Sequence, residues 1–320
     1  MMATQCEKDL YGKNIEVLYR EDDHTVLRVS NQNGEVLMSS FQVFPGICLV
    51  YDDVHTQQCA IDQTYKGDIL EIMHCREGRI ECEYGDSFFY LTPGDVVIRR
   101  RIGKRQESYF PGRHYHGITI LIDVQSAPAC LSCILDDVKV SPTALIGKFC
   151  SADSCFVMRA KPSLEHIFSE LYSVQELIRK GYFKIKILEL LLFLNGVDIE
   201  RETLSQLCVP KSQVVLAKRV SRYLAEHMDS RVTTDQIAEH FAISPTLLKR
   251  SFKAVYGDSM YAFARTQKMQ EAALLLRRTD ATILDIAGQF GYDNGSKFAK
   301  AFRDVMGVSP NEYRLLENMI

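Results

Sequence analysis

A repeat in the last third of the chain constrains its fold more than any other feature. Ile237-Ala238-x-x-Phe241 returns as Ile286-Ala287-x-x-Phe290, 49 positions further on. Behind each copy stands a second apolar pattern that ends on glycine. These are Leu248-x-x-x-Phe252-x-x-x-x-Gly257 and Phe298-x-x-x-Phe302-x-x-x-x-Gly307, now 50 positions apart. Apolar residues three or four positions apart share one face of a helix. Each copy therefore predicts helix, tight turn, helix and glycine stop, which is the helix-turn-helix plan, with one extra residue in the second turn.

Local chemistry marks the same boundaries. Thr233 or Thr234 can cap the first helix, with Asp235 and Glu239 near its positive end. Ser244-Pro245 reads as a cap followed by proline at the first helical position, where the missing N–H costs nothing. Asn294 or Asp293 can cap the helix that begins near Gly295. Gly257 and Gly307 sit where a left-handed residue ends a helix. Between the repeats, Ala264–Leu276 is strongly helical and would set the distance between the two units.

Seven helices in an ordinary α-bundle would satisfy the same periodicity, but the polar positions favour another reading. With Leu247, Leu248 and Phe252 assigned to the core, the outward face of the first unit's second helix carries Thr246, Lys249, Arg250 and Lys253. The equivalent face in the second unit carries Ser296, Lys297, Lys300 and Arg303. A merely solvated helix usually mixes signs. These faces bear basic and small polar groups, with no acid before Asp304. A helix in the major groove of DNA needs that pattern, with early side chains for base edges and later ones for phosphates. The chain has a net charge of -3, so its basic groups act by placement and not by excess.

The segment 213–320 resembles the AraC/XylS transcription regulators. The resemblance is most specific in Ala272-Ala273, Leu275-Leu276, Thr279, Ile283, Ile286-Ala287, Phe290-Gly291-Tyr292, Phe298, Phe302-Arg303, Gly307, Ser309-Pro310 and Tyr313-Arg314. It implies two helix-turn-helix units bridged by a long helix and entering successive major grooves of promoter DNA. It also implies that Thr246, Lys249 and Arg250 meet bases or nearby phosphates, as do Gly295, Ser296, Lys297 and Lys300 in the second unit. Gly295 has no side chain and Ser296 a short one. The first unit is therefore expected to read sequence, and the second mainly to grip the backbone.

The rest of the chain has other textures, so the expected class is a multidomain α+β protein. In residues 1–125, Ile80, Cys82 and Tyr84 alternate with Arg79, Glu81 and Glu83, a strand pattern. A turn at Gly85-Asp86, Phe88–Leu91, the turn Thr92-Pro93-Gly94-Asp95 and Val96–Ile98 follow. Helical periodicity is absent there, and a small antiparallel barrel or sandwich is expected. The Gly85 to Val96 stretch looks like half of a cupin motif, which implies an effector-binding barrel. In residues 126–205 the apolar steps Leu164, Ile167, Phe168, Leu171, Val174 and Ile178 predict one helix, and Phe183, Ile185, Leu188, Leu191 and Leu192 a second. The joint falls at Arg179–Tyr182. This hairpin is expected to dimerise the protein through Ile178, Ile185, Leu188 and Leu192. Val197–Ser212 reads as the connector.

No reaction is indicated. Phosphate-loop, dinucleotide and G-x-S-x-G patterns are absent, so the chain is expected not to be an enzyme and to carry no cofactor. His114-x-His116 follows the Pro-Gly turn while His55 and His74 stand alone, so surface or core histidines are expected, with no metal. Cys130-x-x-Cys133 and Cys150-x-x-x-x-Cys155 are separated by 16 residues, near a four-thiolate zinc spacing; a redox pair or plain core cysteines fit equally. Ten cysteines without an export signal read as reduced thiols in a prokaryotic cytoplasm. Leu188 and Leu190–Leu194 fall far short of the roughly 18 residues of a membrane span. The expected protein is a DNA-binding homodimer controlled by a small-molecule effector. Alternatives are a metal-dependent cupin enzyme fused to a DNA-binding tail, or control by a protein partner or by thiol oxidation.

Overall fold

Alternation of side chains governs the first half of the chain and helical periodicity the second. The computed structural model describes residues 3–12, 14–31, 34–61, 67–84, 87–101, 106–128, 141–150, 155–199 and 208–317. The expected Gly85-Asp86 turn, the Cys130 and Cys133 thiols and half of the connector, residues 200–207, lie outside them. The chain divides into two compact units, Met1–Cys208 and Val209–Ile320.

The first unit begins with a short helix, α1 (Gln5–Tyr11), where the sequence shows no helical period. Seven residues are too few to display one. Thr4 and Glu7 close a capping box, and Arg20 pairs with Glu7. The strands are β1 (Ile15–Glu21), β2 (His24–Asn31), β3 (Gly34–Phe44), β4 (Ile47–His55), β5 (Gln58–Ile61) and β6 (Ile69–Gly78). Then come β7 (Ile80–Tyr84), β8 (Ser87–Leu91), β9 (Val96–Arg101), β10 (Gln106–Tyr109) and β11 (Tyr115–Asp123). After α2 (Pro142–Phe149), β12 (Phe156–Met158) completes the larger sheet, whose order is β1-β2-β3-β4-β11-β6-β9-β12. A smaller sheet has the order β8-β7-β10-β5. The expected barrel is thus realised as two antiparallel sheets, and among the described residues their ladders do not join into a closed cylinder.

The expected alternation holds in β7, where Ile80 and Cys82 are buried and Glu83 is exposed. The Pro-Gly turn is also present. Gly94 adopts φ +87°, and the buried Asp95 carboxylate accepts from the Thr92 N–H and hydroxyl at 2.8 and 2.6 Å. Central strands of the larger sheet are covered on both faces. Leu49, Ile72 and Ile120 pack toward helices, while Val50, Met73 and Leu121 pack into a core shared with the smaller sheet. Double coverage explains why Ile118–Ile122 is almost uniformly apolar.

The helical layer contains α3 (Pro162–Leu171), one 3-10 turn (Glu176–Ile178) and α4 (Arg179–Gly196). Leu164, Ile167, Phe168 and Leu171 are buried as their spacing predicts. The joint, however, falls before Arg179, and Gly181 lies inside α4. Phe183, Ile187, Leu190, Leu191 and Leu194 seat that helix on the sheet. Their packing overrides the roughly 1 kcal/mol cost of a helical glycine.

The second unit is helical: α5 (Lys211–Glu226), α6 (Thr234–His240), α7 (Pro245–Tyr256), α8 (Met260–Arg278), α9 (Ile283–Gln289), α10 (Gly295–Met306) and α11 (Pro310–Glu317). Among the described residues no helix is long and apolar enough to cross a membrane.

Candidate nucleic-acid interface

The repeat becomes two helix pairs, α6–α7 and α9–α10, flanking the long α8. Thr233 and Gln236 form a capping box on α6, so Thr233 is the cap of the two candidate threonines. Ser244 accepts from the Leu247 N–H at α7, with Pro245 at the first helical position. On α10 the cap is Asn294, whose Oδ1 accepts from Ser296 and Lys297 N–H at 2.8 and 3.3 Å. Gly257 and Gly307 end α7 and α10 in the left-handed region, φ +84° and +79°. A capping box of Thr282 and Asp285 on α9 was not anticipated, although its Thr-x-x-Asp spacing carries the signal.

The two turns differ by the extra residue that the sequence offset implies. The first, between His240 and the cap Ser244, places Ala242 at φ +53°. The second, between Gln289 and the cap Asn294, uses Gly291 at φ +74°. A β-carbon on Gly291 would stand 2.5 Å from the Asp229 carbonyl oxygen, so the close approach demands glycine.

One core supports each pair. Ile237, Leu248, Phe252 and Val255 are buried in the first, and Ile286, Phe290, Phe298 and Phe302 in the second. Leu247 is only half-buried. With those residues inward, Thr246, Lys249, Arg250 and Lys253 on α7 are all exposed, as are Ser296, Lys297, Lys300 and Arg303 on α10. The face on α10 is more uniformly basic than the sequence suggests, because Asp304 pairs with Arg265 of α8. Lys268, also on α8, donates to the carbonyls of Ser230 and Phe290 at 3.0 and 3.1 Å. It thereby fastens the loop before α6 to the turn after α9.

In the first unit, a cavity of about 80 Å³ lies between the sheets and opens to solvent at its mouth. Val36, Met38, Val54 and Phe110 make its walls largely apolar. Its polar lining is compact. Glu71 faces Arg99 and, at 3.4 Å, Arg101. Burial works to raise the Glu71 pKa, but the two guanidinium groups outweigh it and hold it low. Asp52 accepts from the Thr119 hydroxyl, and burial raises its pKa to about 7. No histidine is among the cavity's described lining residues.

Each of the histidines weighed in the sequence has a definite place. His74 is a core residue stacked on Phe168, its pKa lowered by burial to about 4. His55 is not isolated: it meets His114 and His116 where β4 and β11 pair. Cys150 and Cys155 are buried free thiols, and burial raises both to about 11, away from reactive thiolate.

Two helix-turn-helix pairs braced by one long helix, with basic faces on both second helices, define a double helix-turn-helix DNA-binding unit. A family profile described as a helix-turn-helix domain matches residues 237–315. The HTH-type transcriptional activator AarP of Providencia stuartii is 31% identical over 93 residues, 29% of this chain and 69% of AarP. The regulatory protein PocR of Salmonella typhimurium is 32% identical over 97 residues, 30% of this chain and only 32% of PocR. The solved C-terminal domain of AraT, a response regulator from Geobacillus stearothermophilus, aligns at 35% identity and a TM-score of 0.31, covering 32% of this chain and 84% of that one. The chain belongs to the AraC family of helix-turn-helix transcription regulators.

Proposed function

We propose that this protein is a one-component, cytoplasmic transcription regulator whose two basic helices, α7 and α10, enter successive major grooves of a promoter site. The observation that carries this reading is the exposure of all eight polar and basic side chains on the two helices, six of them at equivalent places: Thr246 with Ser296, Arg250 with Lys300, and Lys253 with Arg303. Thr246, Lys249 and Arg250 present donors to base edges at the start of α7. Ser296, Lys297, Lys300 and Arg303 supply mostly phosphate contacts from α10. Selection of bound sites from a random duplex library, followed by titration of the selected site, tests the proposal. Unchanged affinity for that site in K249A, R250A and K300A together would overturn the docking.

Control by a small effector is the second part of the reading. The cavity between the sheets, a cupin-like pocket without a closed barrel, has the apolar walls and few convergent polar groups of a ligand site. Binding would bias the protein between two states by its difference in affinity for them. A metal-dependent enzyme in this cavity is disfavoured, because its lining offers carboxylates and guanidinium groups and no imidazole. Thermal-shift screening of the full chain against small metabolites, repeated with R101A, tests the site.

The third part is dimerisation by a second copy at the 3-10 turn and α4. Ile178 and Ile185 are 51% and 63% exposed, and Leu188 and Leu192 continue the same stripe, partly covered by the core. Light scattering of Ile185→Glu is expected to show a monomer. A variant that stays dimeric removes this face from the interface.

A further inference from the structure

Three histidines that sequence reading sets apart are brought together by strand register. Tyr115 pairs with Val54 and His116 with Asp53 in the β4–β11 ladder. His114 therefore stands across from His55, one step outside β11. Side chains alternate along a strand, and Val54 and Tyr115 line the cavity. Asp53, His55, His114 and His116 consequently form a two-by-two block on the opposite, outer face of the sheet. On the far side of β11, β6 places Glu77 across from His116, and its carboxylate lies 3.5 Å from His114 Nε2.

The distances within the block suit a cation better than a hydrogen-bond network. One nitrogen from each of the three rings lies within 4.8 Å of those of the other two. Asp53 Oδ1 is 2.8 Å from His55 Nε2 and 3.0 Å from His116 Nε2. Yet Asp53 Oδ1 and His116 Nε2 are shut off from solvent and neither makes an aligned hydrogen bond. Nitrogens that converge on one oxygen without donating to it are arranged as ligands around a common centre. Zinc bonds of about 2.0–2.1 Å in a tetrahedron put donor atoms about 3.3 Å apart. The carboxylate is close to that spacing from His55 and His116 but stands outside the mutually close set of three rings, so Asp53 must turn toward His114 and the rings must close by about 1.5 Å, within the reach of side-chain rotation at a half-exposed surface.

We propose that His55, His114, His116 and Asp53 form a binding site for a divalent transition metal of the zinc class on the outer face of the N-terminal unit. Imidazole donors select zinc, copper or nickel over magnesium and calcium, which require oxygen ligands. Three neutral rings and one carboxylate leave a single positive charge on the bound divalent ion. Glu77 lies where it can accept from the ring N–H of His114 and fix its orientation, the outer-shell arrangement common at histidine sites. The site joins β4 to β11 in the middle of the larger sheet and does not open into the cavity, so it is independent of the effector reading.

The test uses the full chain, free of affinity tags and stripped with chelator. Calorimetric titration with zinc chloride is expected to show one ion per chain, unaffected by millimolar magnesium. Cobalt in place of zinc is expected to give the visible bands of a tetrahedral nitrogen and oxygen site without an intense thiolate charge-transfer band, which separates this site from the cysteines. The double variant H55Q/H114Q is expected to lose zinc affinity at least tenfold, and E77Q by about 10–100-fold. His166, exposed on α3 beside Glu170, serves as control, and H166Q is expected to bind as the parent does. A measurement on the unaltered chain guards against misfolded variants: zinc is expected to suppress diethyl pyrocarbonate labelling at His55, His114 and His116 but not at His166. The proposal fails if zinc binds at less than one equivalent, if cobalt shows a thiolate band, or if labelling of the three histidines is indifferent to zinc.

Discussion

The two helix-turn-helix units share a plan and differ where it meets DNA. The first has a shorter turn, with Ala242 in the left-handed region, and opens its second helix on Pro245, Thr246 and Leu247. The second has a longer turn built on Gly291, and opens its second helix on Gly295 and Ser296. A turn that needs glycine is specified by backbone geometry, while a helix start that lacks side chains gives up chemical information. The contrast teaches that structural regularity and sequence-reading capacity are separate properties. Under the proposed docking, the unit with the more specific family signature would present fewer side chains to base edges.

The largest expected effect probes the turns. Gly291→Ala places a β-carbon against the Asp229 carbonyl at positive φ, and should cost about 3 kcal/mol of stability. Ala242→Gly relieves strain at the equivalent turn and should be neutral or stabilising by up to about 1 kcal/mol. Urea unfolding of both full-length variants measures the difference, and equal effects would dissolve the structural contrast. Next comes recognition. Arg250→Ala should weaken binding to a selected site by about 2 kcal/mol while sparing random duplex. A smaller effect is expected of Lys300→Ala, about 1 kcal/mol lost on every duplex, with the salt dependence shallower by about one counterion. A loss confined to one sequence would instead make α10 a reader of bases. Smallest is Gly295→Ala. Only Leu284, at 3.8 Å, neighbours the added methyl, so helix stability should rise by a few tenths of a kcal/mol. Binding selectivity should stay as it was, and a sharpened preference there would show that Gly295 faces a base.

Much of the second unit is legible in the sequence because its information is local. Ser244, Asn294, Gly257 and Gly307 act on residues within one helical turn of themselves, so caps and stops follow from spacing. The alternation in β7 is legible for the same reason. What escapes is set by contacts between distant residues. His55 joins His114 only through the register of β4 with β11, and no period in the sequence encodes that register. The start of α4 at Arg179 likewise depends on Phe183 and Ile187 being seated on the sheet, which outweighs the local hint of Gly181. The pairing of Arg265 with Asp304, which clears the acid from the α10 face, also spans two helices. Helix α1 is missed for a third reason, since two turns are shorter than the window in which periodicity can be recognised.

The long helix α8 has a thermodynamic consequence. Nineteen residues make a rod of about 28 Å, held at its flanks by the Lys268 and Arg265 contacts. Once one recognition helix is seated, the rod presents the other to DNA at an effective concentration on the order of millimolar or higher. If α10 grips phosphates as proposed, it would then lengthen the residence of the whole protein without adding discrimination of its own. On that docking, selection acting on operator sequence would be free to vary the half facing α10, so long as its distance from the half facing α7 is preserved.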